Sequence, residues 1–229
     1  MNKEMTSSRA SMVWRLLTFR VSREELLAVD RRHLAMGLVA TWIVGMGRYW
    51  DDAGAHVLQH MGMGSVVYVF CLSLFIWLVL KPYLVEEWSY FRVLTFISLT
   101  SFPAILYAIP VERFLSIEVA ASMNVWFLAV VATWRLALLF FFLRIFTRLA
   151  YGHIAVAALL PVCLIIVALT ALNLERAVFD IMGGIRDTTS NDRAYQVLFM
   201  LTMLASLLAG PLLVAYVVGI VVRRRALRK

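Results

Sequence analysis

Hydrophobic positions in this chain fall into six long, nearly unbroken runs, at about 34–50, 64–80, 93–109, 119–143, 153–172 and 196–222. A helix that crosses a bilayer needs about 20 such residues. None of the runs shows the ten-residue alternation of a barrel strand. The pattern predicts an all-α, polytopic transmembrane helix bundle of six spans joined by short loops. The fourth and sixth runs are long enough to tilt or kink.

The polar stretches place the rest. Residues 1–11 are polar and expected to be loose. Met12–Phe19 is apolar apart from Arg15 and Thr18, and Arg20 follows. This fits an amphipathic helix on the inner membrane surface, with Trp14 at headgroup level. Ser22 and Glu25 have capping-box spacing, which predicts a helix that starts there and runs past Arg31, Arg32 and His33 into the first span. The first long apolar run comes only after His33, so the N-terminus does not read as a cleaved signal peptide. The chain divides into a cytoplasmic N-terminal segment (1–33), a six-helix membrane domain (34–222) and a basic cytoplasmic tail (223–229).

Composition narrows the class. Hydrophobic residues are 62% of the 229 and charged residues 16%, against about 45–50% and 25% in soluble domains. That excludes an ordinary soluble enzyme, a disordered chain and a disulfide scaffold. Charge then sets an orientation. With the N-terminus inside, sixteen of the 22 Lys and Arg fall on the inner side. Five, Arg48, Arg113, Arg176, Arg186 and Arg193, fall outside, and Arg135 lies within span four. Such a bias is the positive-inside signature and predicts a bacterial-type inner-membrane protein with both termini cytoplasmic. It also explains the net charge of +8 without a nucleic-acid partner, since no basic soluble domain is present to carry one. Cys71 and Cys163 lie in apolar runs and read as small hydrophobes.

Candidate chemistry gathers after span one. Arg48, Asp51, Asp52, His56 and His60 share one loop, and on a helix Asp52, His56 and His60 would line one face. Two imidazoles and a carboxylate are a possible divalent-metal set with an open position for water, although an interfacial helix facing water explains them more simply. Glu112 and Arg113, beyond span three, belong on the same outer side. Glu112 is expected to pair with Arg48, and Arg113 with Asp51 or Asp52, in a lattice tying two loops together. The alternative is a pocket in which the arginines grip an anion. Arg135 is an intramembrane charge, which marks either a functional site or a snorkelling side chain. Arg223, Arg224 and Arg225 anchor span six or bind anionic lipid headgroups. Thr95, Ser98, Thr100, Ser101 and Asn124 read as interhelical hydrogen-bonding groups. Pro103, Pro161 and Pro211 are candidate kinks. Close helix packing is expected at Gly45 and Gly62, with a flexible outer turn as the equal alternative.

No P-loop, dinucleotide fingerprint, Cys-x-x-Cys or nucleophile elbow occurs in the sequence. The leading expectation is a non-enzymatic membrane protein: a small permease or channel, or a membrane subunit of a larger assembly. Its partners would be the lipid bilayer and other membrane subunits or further copies of itself. A membrane-embedded metal-dependent hydrolase or lipid-modifying enzyme is the alternative, and a membrane-perturbing stress or defence effector a third.

Overall fold

The computed structural model describes residues 2–47, 49–50, 57–83, 85–147, 149–174 and 193–226, all helical or irregular. The chain begins with α1 (Asn2–Leu17), α2 (Arg23–Leu27) and α3 (Arg31–Gly47). A single turn, α4 (Val57–His60), precedes α5 (Met63–Leu80), and α6 (Tyr90–Leu99) follows. Short 3-10 turns over Phe102–Ala108 and Val111–Arg113 lead into α7 (Ile117–Thr147), α8 (Tyr151–Ala171) and α9 (Arg193–Ala226).

Among the described residues, four helical stretches are long and apolar enough to cross a membrane: Met63–Tyr83, Ser122–Thr147, Tyr151–Ala171 and Gln196–Ala226. The pair α6 and Phe102–Ala108, bent by 41°, makes a fifth if it is taken as one span. Helix α3 has 17 residues, a length of about 25 Å against about 30 Å of hydrocarbon. The chain is therefore a helical protein with four to five apolar spans, in keeping with a multi-pass membrane bundle.

Local chemistry explains the boundaries. Ser22 and Glu25 form the expected capping box: the Glu25 amide donates to Ser22 Oγ (3.3 Å) and the Ser22 amide to Glu25 Oε2 (2.9 Å). The helix it starts does not run on into the membrane. Asp30 interrupts it by capping α3, its Oδ1 accepting from the Arg32 and His33 amides at 3.0 Å each, so a new helix begins at Arg31. Residues 2–11 are helical rather than loose.

The third span breaks where proline and hydroxyls coincide. Pro103 has no N–H for a helical bond and restricts the residue before it. Nearby, Ser98 Oγ donates to the Thr95 carbonyl (2.9 Å) and Thr100 Oγ1 to the Ile97 carbonyl (2.7 Å). Thr41 Oγ1 meets Ser101 Oγ at 2.8 Å across the α3 interface. The Ser101 contact is an interhelical bond of the expected kind. Thr95, Ser98 and Thr100 bond back to their own helix. Pro161 and Pro211 sit inside continuous helices.

Helix α3 lies close against span three because Gly37 permits it: a Cβ there would stand 2.3 Å from Ser98 Oγ. Gly45 and Gly62 allow similar contact between α3 and the start of α5, where a Cβ on Gly45 would meet the Gly62 carbonyl at 2.8 Å. The packing expectation holds there, and Gly62 adopts φ 65 to cap α5.

The core divides by depth. A large cluster joins Met12, Val13 and Leu16 of α1 with the start of α6 and the C-terminal half of α7. Its centre is aromatic: Phe96 and Phe142 stack at 4.1 Å, Phe142 and Phe146 at 5.3 Å, and Trp88 closes on both. A smaller cluster, Val44, Ala104 and Val131, lies toward the opposite end. The N-terminal helix is thus docked into the bundle by one face while Trp14 stays exposed.

Candidate functional site

Of the outer cluster, Arg48, Asp51, Asp52 and His56 lie outside the described residues, as does the side chain of Glu112. The expected pairs Glu112–Arg48 and Arg113–Asp51/Asp52, and the shared face of Asp52, His56 and His60, therefore lie outside them too. His60 ends the single turn α4 and is half-buried. Among the described residues no group of three metal-ligating side chains comes together.

What the structure does bring together is Trp50, just after α3, and the 3-10 turns that follow α6. Trp50 Nε1 donates to the Ala108 carbonyl at 3.1 Å. The Arg113 guanidinium stands over the Trp50 ring, 4.6 Å from its centre. Trp50, just beyond α3, is thus pinned to the 3-10 turns that follow α6. Sequence alone does not reveal this role of Trp50, because no local spacing links positions 50 and 113.

The opposite end of the bundle holds four ion pairs among the described residues. Arg15 pairs with Glu25, and Asp30 with His33 at 2.7 Å and Arg9 at 3.6 Å. Arg92 pairs with Glu87 at 2.9 Å. Burial tends to raise the Glu25 carboxyl, but the Ser22 amide and the Arg15 guanidinium outweigh it and hold it below its ordinary range. Burial likewise opposes Asp30, and the His33 amide and ring prevail to lower it.

Arg223 Nε donates to the Tyr83 carbonyl at 2.7 Å, fastening the end of α9 to the end of α5, while Arg224 and Arg225 are exposed. Between these helix ends lies a polar knot that the sequence did not reveal. The Tyr83 ring meets His153 and Tyr216 edge-on at 5.9 and 5.5 Å. Gly219 clears the space: a Cβ there would stand 3.2 Å from both His153 Nε2 and the Tyr83 hydroxyl. That hydroxyl is buried, and among the described residues it has no hydrogen-bond partner.

Arg135 is half-buried on α7, and among the described residues it has no ion pair or hydrogen bond. Its neighbour Trp134 donates Nε1 to the Leu17 carbonyl at 3.1 Å. The polar N-terminal segment therefore reaches down this flank of α7 to the level of Arg135.

Beside that contact is an apolar groove of about 440 Å³ on the outward face of α7. It is lined by Phe19 and by Trp126, Ala129, Val130, Thr133, Trp134 and Ala137 of α7. Phe19 takes φ 60, a conformation costly for a residue with a Cβ. It is the left-handed residue of a Schellman turn, with Phe19 N donating to the Leu16 carbonyl and Arg20 N to that of Arg15, a position usually given to glycine. Its ring rests edge-on against Phe141 at 5.5 Å.

Compared with known protein families, curated proteins and solved structures, the chain matches none.

Proposed function

We propose that the chain is a six-span protein of a bacterial-type inner membrane, with both termini cytoplasmic, that works as a membrane subunit of a larger assembly. In this reading α3 is the sixth span, reaching the full bilayer width through Tyr49 and Trp50. The sixteen-to-five distribution of Lys and Arg supports the orientation. The outer loops around Trp50 and Arg113, with Arg48, Asp51, Asp52, His56, His60 and Glu112, are the face offered to a partner or solute.

The observation that carries the subunit reading is the bareness of the last helix. Only 6% of the apolar window of α9 is buried within the chain, with Leu207 and Met200 among its most exposed side chains. In lipid, helices associate through packing contacts rather than by the hydrophobic effect, so a bare span is free to accept a partner helix.

The test is the mass of the particle after mild solubilisation, with a photo-crosslinker at Leu207. The subunit reading expects a particle heavier than the 26.0 kDa chain and one discrete protein adduct. A monodisperse monomer that crosslinks only lipid overturns it. If such a monomer also carries solute across liposomes, the small-permease reading takes its place.

A further inference from the structure

We propose that the N-terminal segment is re-entrant: the turn between α1 and α2 dips through the inner leaflet to the middle of the bilayer, where its outward side chains lie against acyl chains. The inference rests on the bilayer reading of span four and not on the subunit role.

Depth is the first support. Three contacts register the segment along α7. The Leu17 carbonyl accepts from Trp134 Nε1 at 3.1 Å, the Phe19 ring meets Phe141 at 5.5 Å, and Arg23 Nε donates to the Phe146 carbonyl at 3.5 Å. From Leu17 to Arg23 the chain therefore runs back toward the inner end of α7. Trp134 stands at the midpoint of the apolar stretch Ser122–Thr147, thirteen residues (134 to 147) or about 20 Å from its inner end. Tilting the span leaves its midpoint in place. With that stretch centred in about 30 Å of hydrocarbon, the tip at Leu17–Phe19 lies near the middle. A helix resting at headgroup level would meet α7 close to Thr147 instead.

The backbone chemistry of the tip is the second support. A helix leaves its last four carbonyls without intrahelical donors, and at a wet end water can take them. At the end of α1 the chain supplies a donor to each. The Trp14 carbonyl accepts from the Thr18 amide (3.0 Å) and from Thr18 Oγ1 (2.8 Å). The Arg15 carbonyl accepts from the Arg20 amide (2.7 Å) and the Leu16 carbonyl from the Phe19 amide (3.1 Å). The Leu17 carbonyl takes the Trp134 indole. Such closure is what hydrocarbon demands of a backbone.

The side chains agree. Met12, Val13 and Leu16 fill the bundle side, while Trp14 and Phe19 are 66% and 40% exposed, so the tip is apolar on both sides. Its charges are tied or lie near the inner end. Arg15 donates to Ser11 Oγ at 2.9 Å and pairs with Glu25. The Arg23 guanidinium stands over the Phe146 ring. Arg20 falls between the levels of Phe141 and Phe146, within about 9 Å of the inner end, a distance that a long side chain spans by snorkelling.

The experiment is power saturation of spin labels on the full chain in phosphatidylglycerol–phosphatidylcholine vesicles, in a Cys71→Ser, Cys163→Ser background. Single labels go on Ala10→Cys, Trp14→Cys and Arg32→Cys, all exposed positions that leave the fold intact. Leu213→Cys, exposed on α9, is the bilayer reference. The Trp14→Cys label should be relaxed by oxygen and shielded from a water-soluble nickel chelate, as the Leu213→Cys label is. It should lie deeper than the Ala10→Cys label by up to about 6 Å, the length of four helical residues. The Arg32→Cys label should meet the chelate. Equal depth at Ala10→Cys, Trp14→Cys and Arg32→Cys returns α1 to the membrane surface and overturns the proposal, as does a Trp14→Cys label open to the chelate beside a shielded Leu213→Cys. Failure of the bilayer reading is distinct, because the Leu213→Cys label would then be open to the chelate as well.

Discussion

The two ends of the bundle are built differently. The end read as cytoplasmic is packed as in a soluble protein, with a continuous cluster from Leu16 through Phe96 and Phe142 to Ala158 and four ion pairs on its surface. Toward the other end, the described residues offer Val44, Ala104 and Val131, short 3-10 turns and the Trp50–Arg113 contact. The N-terminal segment accounts for the difference. By placing Met12, Val13 and Leu16 against the bundle it supplies this end with an apolar layer that has no counterpart among the described residues of the other.

The largest expected effect tests that asymmetry. Phe142→Ala removes the middle ring of the aromatic stack and is expected to cost about 3–5 kcal/mol. Val131→Ala, in the small outer cluster, should cost about 1.5 kcal/mol, at about 0.8 kcal/mol per buried methyl. Unfolding in mixed micelles, followed by helicity, compares them, and equal losses would erase the contrast.

A second pair uses glycines. Gly37→Ala forces a Cβ into Ser98 and should destabilise by about 1–3 kcal/mol, parting α3 from span three. Gly64→Ala meets nothing within 4 Å and should be neutral. Melting of the two purified variants reads the difference.

Thr41→Val then probes the polar contact between the two ends. It deletes the hydroxyl that joins the Gly37 carbonyl to Ser101, for an expected loss of about 0.6–1.7 kcal/mol. A Thr41→Ser variant should recover most of it in the same assay.

Acid should loosen the packed end, and gently. Glu25 and Asp30 are held below their ordinary values of 4.5 and 3.8. Their contribution is therefore complete above those values and disappears as pH falls through the lowered ones. Protease cleavage in the N-terminal segment should rise below about pH 4. Glu25→Gln should show much of that cleavage already at neutral pH. Cleavage that increases with rising pH would contradict the sign.

Much of this fold was legible because membrane helices are written locally. The apolar runs fell within a few residues of the helices, and Ser22 with Glu25 formed the predicted cap. Proline was ambiguous: Pro103 breaks its span and Pro161 does not, because the break also needs the hydroxyls of Ser98, Thr100 and Ser101 beside Thr41. The docking of α1 was not legible, since Leu16 finds its place only when the C-terminal half of α7 is beside it. The candidate site was legible as a concentration of charge, but not in its contacts. Arg113 meets an indole far away in sequence, and the groove joins Phe19 to residues more than a hundred positions on.

The account rests on six spans with both basic ends inside, and cysteine accessibility tests this most directly. In a Cys71→Ser, Cys163→Ser background, single cysteines at Asp187 and Glu86 are exposed to an impermeant thiol reagent in intact cells. Asp187→Cys should label from outside, and Glu86→Cys only after the membrane is opened. Labelling of Asp187→Cys from the cytoplasm alone would contradict the orientation and the span count together.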